Sequence, residues 1–221
     1  MNKKREWTCL IVGLLGAMAG LYGVVAFNQF VLISLPWELR MASMPIVYWL
    51  IALAPIIVML LNKDKLADYG FSKSKMVLQI IVGVLIGITM SFVLTLIPHL
   101  FGYGEFVDSG KRYKYLWQFI YEFFYCIFAI GFVEEFVFRG FIYEKIKCIS
   151  QKNIIAIISS SVFFGVFHLF SGNIVQMLMT ACMGMFFCFY RLKIKNCSTL
   201  SLIIGHGVYD GLITVWASVL L

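Results

Sequence analysis

The sequence predicts an all-α, polytopic transmembrane helix bundle of about seven helices, with six to eight as the range. Three observations predict it. The 221 residues are 62% hydrophobic and only 13% charged, against roughly 45–50% and about 25% in an average soluble domain. Seven apolar runs lie near the ~20 residues that cross a bilayer. Basic residues gather at every second boundary between those runs. Twenty-one Phe and five Trp add bulk that a single soluble core could not bury. This composition excludes a soluble enzyme, a disordered chain and a nucleic-acid module. The net charge of +7 reads as membrane topology rather than as a surface for nucleic acid.

The first run spans about Trp7 to Leu35, behind Lys3, Lys4 and Arg5. Ala17-Met18-Ala19 resembles a signal cleavage site. The apolar run continues through Phe30-Val31-Leu32-Ile33, too long for a signal h-region, so a retained helix is expected. Further runs cover about Met44 to Leu61, Met76 to Ile97, Tyr115 to Tyr143, Ile154 to Phe170, Ile174 to Tyr190 and Thr199 to Leu220. Backbone groups in lipid must bond internally, so these are helices. Gly131 leaves room for a split in the long fourth run. The polar loop from about Gly102 to Lys114 has the length for a short interfacial helix.

Charge then orients the bundle. Lys3/Lys4/Arg5, Lys63/Lys65/Lys73/Lys75, Lys145/Lys147/Lys152 and Arg191/Lys193/Lys195 fall at alternate boundaries. Glu38/Arg40 is nearly neutral, the Glu105–Lys114 loop is mixed and Ser171-Gly172-Asn173 is uncharged. Seven helices then give a cytoplasmic N-terminus and an external C-terminus. The six cysteines form no CxxC and read as small buried hydrophobes.

Ionisable groups inside a membrane are costly and usually face a cavity or a partner. Few such residues occur here. The fourth run holds Glu134, Glu135 and Arg139, the fifth ends at Phe164-Gly-Val-Phe-His168, and the seventh holds His206-Gly-Val-Tyr-Asp210. Glu122, nearer the start of the fourth run, reads as interfacial. Glu135 and Arg139 are four apart and can pair on one helix face. Glu134 lies about 100° further round and can face a cavity. His206 and Asp210 share a face of the last helix, and His168 adds a second imidazole. A lone buried His or a single ion pair is more often structural. Two Glu, two His, one Asp and one Arg in three apolar helices exceed what packing explains.

The chemistry that fits is water activation. A carboxylate and an imidazole can hold a water and take its proton. The remaining His and Asp can stabilise a tetrahedral oxyanion. Two His and a Glu also suffice to bind a divalent metal such as zinc with one open position. If a metal is present, Glu134, His168 and His206 are its ligands; these residues alone leave open whether one is bound, and they define no other cofactor. The sequence contains no HExxH, no GxSxG and no GxGxxG, and Tyr209-Asp210 has no second, GxGD-type aspartate to pair with as an aspartyl intramembrane protease would need.

Glu134-Glu135-xxx-Arg139, Phe164-xxx-His168 and His206-xxx-Asp210, in this order on separate helices, resemble the three motifs EExxxR, FxxxH and HxxxN/D of the CPBP family. These are the intramembrane proteases of the CAAX-protease and bacteriocin-processing group, also called Abi proteins. The resemblance covers about residues 130–211. It implies an intramembrane endopeptidase opening towards the cytosol, in which Glu134 and His168 activate the water. His206 and Asp210 then line the oxyanion site, and Glu135 and Arg139 orient it. The family's last position is often Asn. An amide donates a hydrogen bond outright, whereas the carboxyl of Asp210 donates only when protonated. Counted from its basic boundary, His168 lies deeper than Glu134 or His206, so the fifth helix either starts below the bilayer surface or tilts strongly.

Residues 1–110 are then expected to form N-terminal helices and 111–221 the catalytic helices of one integral membrane domain. The expected partners are the lipid bilayer and a membrane-bound peptide or protein substrate, in a bacterial cell membrane. Peptide processing or bacteriocin self-immunity is the expected role. Two alternatives belong to other classes: a non-proteolytic scaffold with the same fold, and a small transporter using the polar cluster as an ion path.

Overall fold

The structure is a computed structural model that describes residues 3–108, 110–170 and 172–220, so Ser171 of the uncharged turn lies outside it. The described residues are helical with no strand. Six continuous helical segments are long and apolar enough to cross a membrane: Lys3–Ser34, Trp37–Leu61, Met76–Tyr103, Leu116–Ser150, Ile174–Lys193 and Thr199–Leu220. Asn153–Leu169 is a shorter apolar helix of 17 residues. At 1.5 Å per residue it measures about 25 Å. The seven runs therefore all become helices.

Helix α1 covers Lys3–Phe30. Helices α2 (Trp37–Tyr48) and α3 (Leu50–Leu61) meet at Trp49. Each contains a proline, Pro45 and Pro55, which removes a helix hydrogen bond and bends the segment. Helix α4 (Met76–Ser91) continues through π-helical turns at Phe92–Leu96 and His99–Tyr103. A 3₁₀ turn, Gly104–Phe106, lies in the following loop. The fourth span is not split. It runs as α5 (Leu116–Tyr125), a π-helical stretch (Cys126–Gly131), α6 (Phe132–Glu135), a second π-helical stretch (Phe136–Ile142) and α7 (Tyr143–Ser150). Helices α8 (Asn153–Leu169), α9 (Ile174–Lys193) and α10 (Thr199–Leu220) complete the chain.

Membrane helices associate by close packing, so small residues mark where they touch. A Cβ on Gly87 of α4 would sit 2.6 Å from the Gly205 carbonyl oxygen of α10. A Cβ on Gly131 would sit 2.7 Å from the Ile203 carbonyl oxygen. Gly131, a candidate break point, is therefore a close-contact residue that seats the fourth span on α10. The main core joins Leu10 and Ala17 of α1, Ile51 and Ala52 of α3, and Val133 to Ile142 of the fourth span. Outward faces are apolar, as Tyr22, Leu61 and Phe101 illustrate.

The basic boundaries meet at one end of the bundle, but Lys145 and Arg191 turn their side chains into it rather than to solvent. Lys145 is buried, with Nζ 2.9 Å from Glu6 Oε2 and 3.0 Å from Asp64 Oδ2. Arg191 reaches the Arg139 carbonyl oxygen (2.7 Å), Glu144 Oε1 (2.8 Å) and Thr199 Oγ1 (3.3 Å). These contacts explain the depth of His168. Arg191 ties Arg139 to the level of Thr199, the first residue of α10. The chain from Gly140 to Ser150 then continues about 16 Å beyond that level before α8 returns. The fifth helix starts outside the surface from which α10 starts, so His168 and Glu134 sit at one depth.

Packing refines two smaller readings. Glu122, near the start of the fourth span, is buried within the bundle beside Lys111 Nζ at 2.5 Å, the Tyr113 hydroxyl at 2.9 Å and Thr214 Oγ1 at 3.4 Å. A carboxylate in an apolar helix is tolerated because those groups surround it. Only Cys9, Cys126 and Cys188 are buried; Cys182 is exposed on the outward face of α9.

Candidate active site

Glu134 and Glu135 lie on α6, the single α-helical turn held between two π-helical stretches. Such insertions re-aim side chains within a helix and occur often at functional sites. Arg139 lies in the second stretch. Its guanidinium is 4.0 Å above the Phe164 ring and 5.3 Å from that of Phe187, contacts that suit a cation held away from water. Arg139 Nη1 is 3.1 Å from Glu135 Oε1, the i, i+4 pairing that the spacing predicts.

Glu135 Oε1 also lies 2.8 Å from His206 Nδ1 on α10. A carboxylate accepts, so Nδ1–H donates and Nε2 faces the other way. There it lies 3.8 Å from Glu134 Oε2 and 3.5 Å from Asp210 Oδ2. Phe187 stacks on the His206 ring at 5.4 Å. His168, at the end of α8, places Nδ1 2.9 Å from the Phe164 carbonyl oxygen. A carbonyl can only accept, so Nδ1 carries the proton. In the neutral ring, Nε2 is then an unprotonated acceptor. It lies 3.9 Å from Glu134 Oε2.

Glu134 thus divides its two oxygens. Oε1 accepts a short hydrogen bond from the Tyr48 hydroxyl at the end of α2. Oε2 is buried, makes no direct hydrogen bond and faces both imidazoles. These separations exceed direct hydrogen-bond range. A water at ~2.8 Å from Glu134 Oε2 and from either Nε2 fits them. They also exceed the ~3.3 Å between ligands of a tetrahedral zinc with bonds near 2.0–2.1 Å. Among the described residues no group of three His, Cys, Asp or Glu side chains has metal-holding geometry. The three suggested ligands converge, but too widely spaced to hold a metal.

Access is set by burial. The side chains of Glu134, Glu135 and Arg139 are at most 2% exposed, whereas His168 is 19% and Asp210 23% exposed. The last two form the reachable rim.

The structure brings all six sequence-predicted residues into one cluster. Two residues were missed. Tyr48 is an isolated hydroxyl beside Trp49, which from sequence reads as an interfacial aromatic. Phe187 is one apolar residue among many. The only sequence signal for either would be its position once the helices are docked.

Fold and site define a polytopic membrane protein with a buried carboxylate–imidazole centre. Residues 116–212 match the family model described as Type II CAAX prenyl endopeptidase Rce1-like. That stretch contains all six residues and is similar to the CAAX-type intramembrane endopeptidases of the CPBP family. No curated protein and no solved structure matches the chain.

Proposed function

We propose that the protein is an intramembrane endopeptidase that hydrolyses a peptide bond in a membrane-associated protein or peptide, with Glu134 as general base. The observation that carries this reading is Glu134 Oε2, buried and facing the Nε2 atoms of His168 and His206. Glu134 Oε2 takes a proton from a water that His168 Nε2 also orients. The water oxygen attacks the scissile carbonyl carbon. The developing oxyanion is stabilised by His206, which as imidazolium donates from Nε2, and by the protonated carboxyl of Asp210. The C–N bond then breaks, and the proton on Glu134 passes to the leaving amine. Glu135 and Arg139 orient His206 through Nδ1.

In this reading residues 111–221 are the catalytic helices and 1–110 frame them. The protein sits in a bacterial cell membrane with its N-terminus cytoplasmic, and its role is peptide processing or self-immunity. The spacing of Glu134 and the imidazoles favours a glutamate-based hydrolase over a metal-based one. The test uses purified protein in detergent with quenched-fluorescent lipidated and membrane-inserting peptides. Cleavage that Glu134→Ala and His206→Ala abolish supports the reading. Cleavage that persists in Glu134→Ala sinks it. Chelator should leave the rate unchanged; loss on chelation with recovery on added zinc would return the reaction to metal chemistry.

A further inference from the structure

Glu134 receives a hydrogen bond from outside the matched segment. Residues 116–212 supply the imidazoles, the second glutamate and the arginine, whereas Tyr48 comes from α2. We propose that Tyr48 is a positioning residue for the reaction, one that fixes which oxygen of Glu134 acts as the base. This rests on the endopeptidase reading above.

A carboxylate presents two equivalent oxygens that exchange by rotation about its terminal bond. A phenol donating to Oε1 removes that equivalence. Oε2 is then the oxygen that meets the water, and the proton it takes stays on the side of His168 and His206, where the leaving amine departs. A bulky lever holds Tyr48 in place. Its ring meets Tyr125 edge-on at 6.5 Å, Tyr125 stacks in parallel on Tyr121 at 6.2 Å, and the Tyr121 hydroxyl donates to the Met41 carbonyl oxygen at 2.8 Å. This aromatic ladder docks α2 on α5. No residue of α2 is fully buried, so side-chain contacts of this kind seat it. Tyr48 acts through Glu134 rather than on substrate.

The test is Tyr48→Phe, which keeps the ring and removes the donor. Two measurements are made. The first is infrared difference spectroscopy on protein carrying ¹³C-carboxyl glutamate, in wild-type and Glu134→Gln backgrounds. Tyr48→Phe should shift a carboxyl band in the first background and not in the second. The second is cleavage kinetics: kcat should fall about 30- to 100-fold, with KM within about twofold, as expected for a misplaced base. Tyr22→Phe, which removes a lipid-facing hydroxyl, should do neither. Absence of a band shift overturns the proposal. A band shift in an enzyme that cleaves at the wild-type rate also overturns it and leaves the endopeptidase reading standing. A band shift in a wild-type protein that cleaves nothing overturns the endopeptidase reading, and this role with it. If Tyr48→Phe fails to fold, Tyr48 replaced by p-aminophenylalanine keeps a donor at the ring tip; it should retain most of the rate, and a fall as deep as that expected for Tyr48→Phe would overturn the proposal.

Discussion

Two buried clusters of charge lie along the Leu116–Ser150 span, and they are built in opposite ways. At the basic end, Lys145 donates to both Glu6 and Asp64, the Tyr69 hydroxyl donates to Asp64 at 2.7 Å, and Arg5 lies 3.6 Å from Asp64. Charge there is matched by opposite charge. One helical stretch away, Glu134 Oε2, Glu135 Oε2 and both terminal nitrogens of Arg139 make no direct hydrogen bond. Arg139 and Glu135 are close enough to attract as ions, but their geometry does not align a hydrogen bond. Buried polar groups are nearly always satisfied, and exceptions gather where chemistry is done. A cluster that closes on itself ties the α1, α3 and α7 ends together. One that leaves a carboxylate oxygen open between two imidazoles is arranged for a further molecule.

The comparison is broken most directly by Glu134→Gln. The amide keeps the volume and the Tyr48 contact but cannot take a proton. Cleavage should fall about 10³-fold, while the unfolding temperature in detergent stays near that of wild type. A protein that loses stability and keeps its rate would make this cluster the structural one. Lys145→Met makes the reverse test. It leaves buried Glu6 and half-buried Asp64 with only the more exposed Arg5 as counter-charge, at a cost below the ~3–5 kcal/mol of a fully buried broken pair, while kcat per folded molecule is unchanged.

These two substitutions also separate what was readable before folding from what was not. Glu134, Glu135, Arg139, His168, His206 and Asp210 stand out because an ionisable residue in an apolar run needs a reason to be there. Helical spacing alone pairs Glu135 with Arg139. Lys145 and Arg191 stood out too, but as loop charges. Counting charges cannot reveal that α7 and α8 project beyond α10 and turn a boundary residue into a buried one. The π-helical stretches around α6 are invisible for a related reason: one extra residue per turn leaves an apolar run apolar. Tyr48 depends on how α2 docks on α5, which is a tertiary fact.

The same contrast has a pH signature at the paired end. Burial pushes the Asp64 carboxyl up, but hydrogen bonds from Tyr69 and Lys145 outweigh it and hold the group below its ordinary value. A depressed carboxyl contributes stability that is present above the unfolded pKa and lost as pH falls through the folded one. The unfolding temperature should therefore drop as pH is lowered below about 4. In Asp64→Asn that part of the drop should be gone, on a smaller baseline stability. An unchanged acid limb in Asp64→Asn would mean that Asp64 is not a paired member of the cluster.

The smallest effect is expected at the rim of the open cluster. Asp210 Oδ2 is 3.5 Å from His206 Nε2, too far for a strong direct hydrogen bond, and its side chain is 23% exposed. It borders the reacting atoms without closing on any of them. An oxyanion needs a donor, and the amide of Asn donates outright, whereas the carboxyl of Asp does so only when protonated. Asp210→Asn should therefore keep cleavage within about tenfold of wild type, and its rate should be the less dependent on pH. Asp210→Ala removes the donor altogether and should cost more than Asn. If Asn costs as much as Ala, the negative charge of Asp210 serves the reaction. It would then act on the His206 imidazolium rather than on the oxyanion, adding a second carboxylate to the task already carried by Glu135.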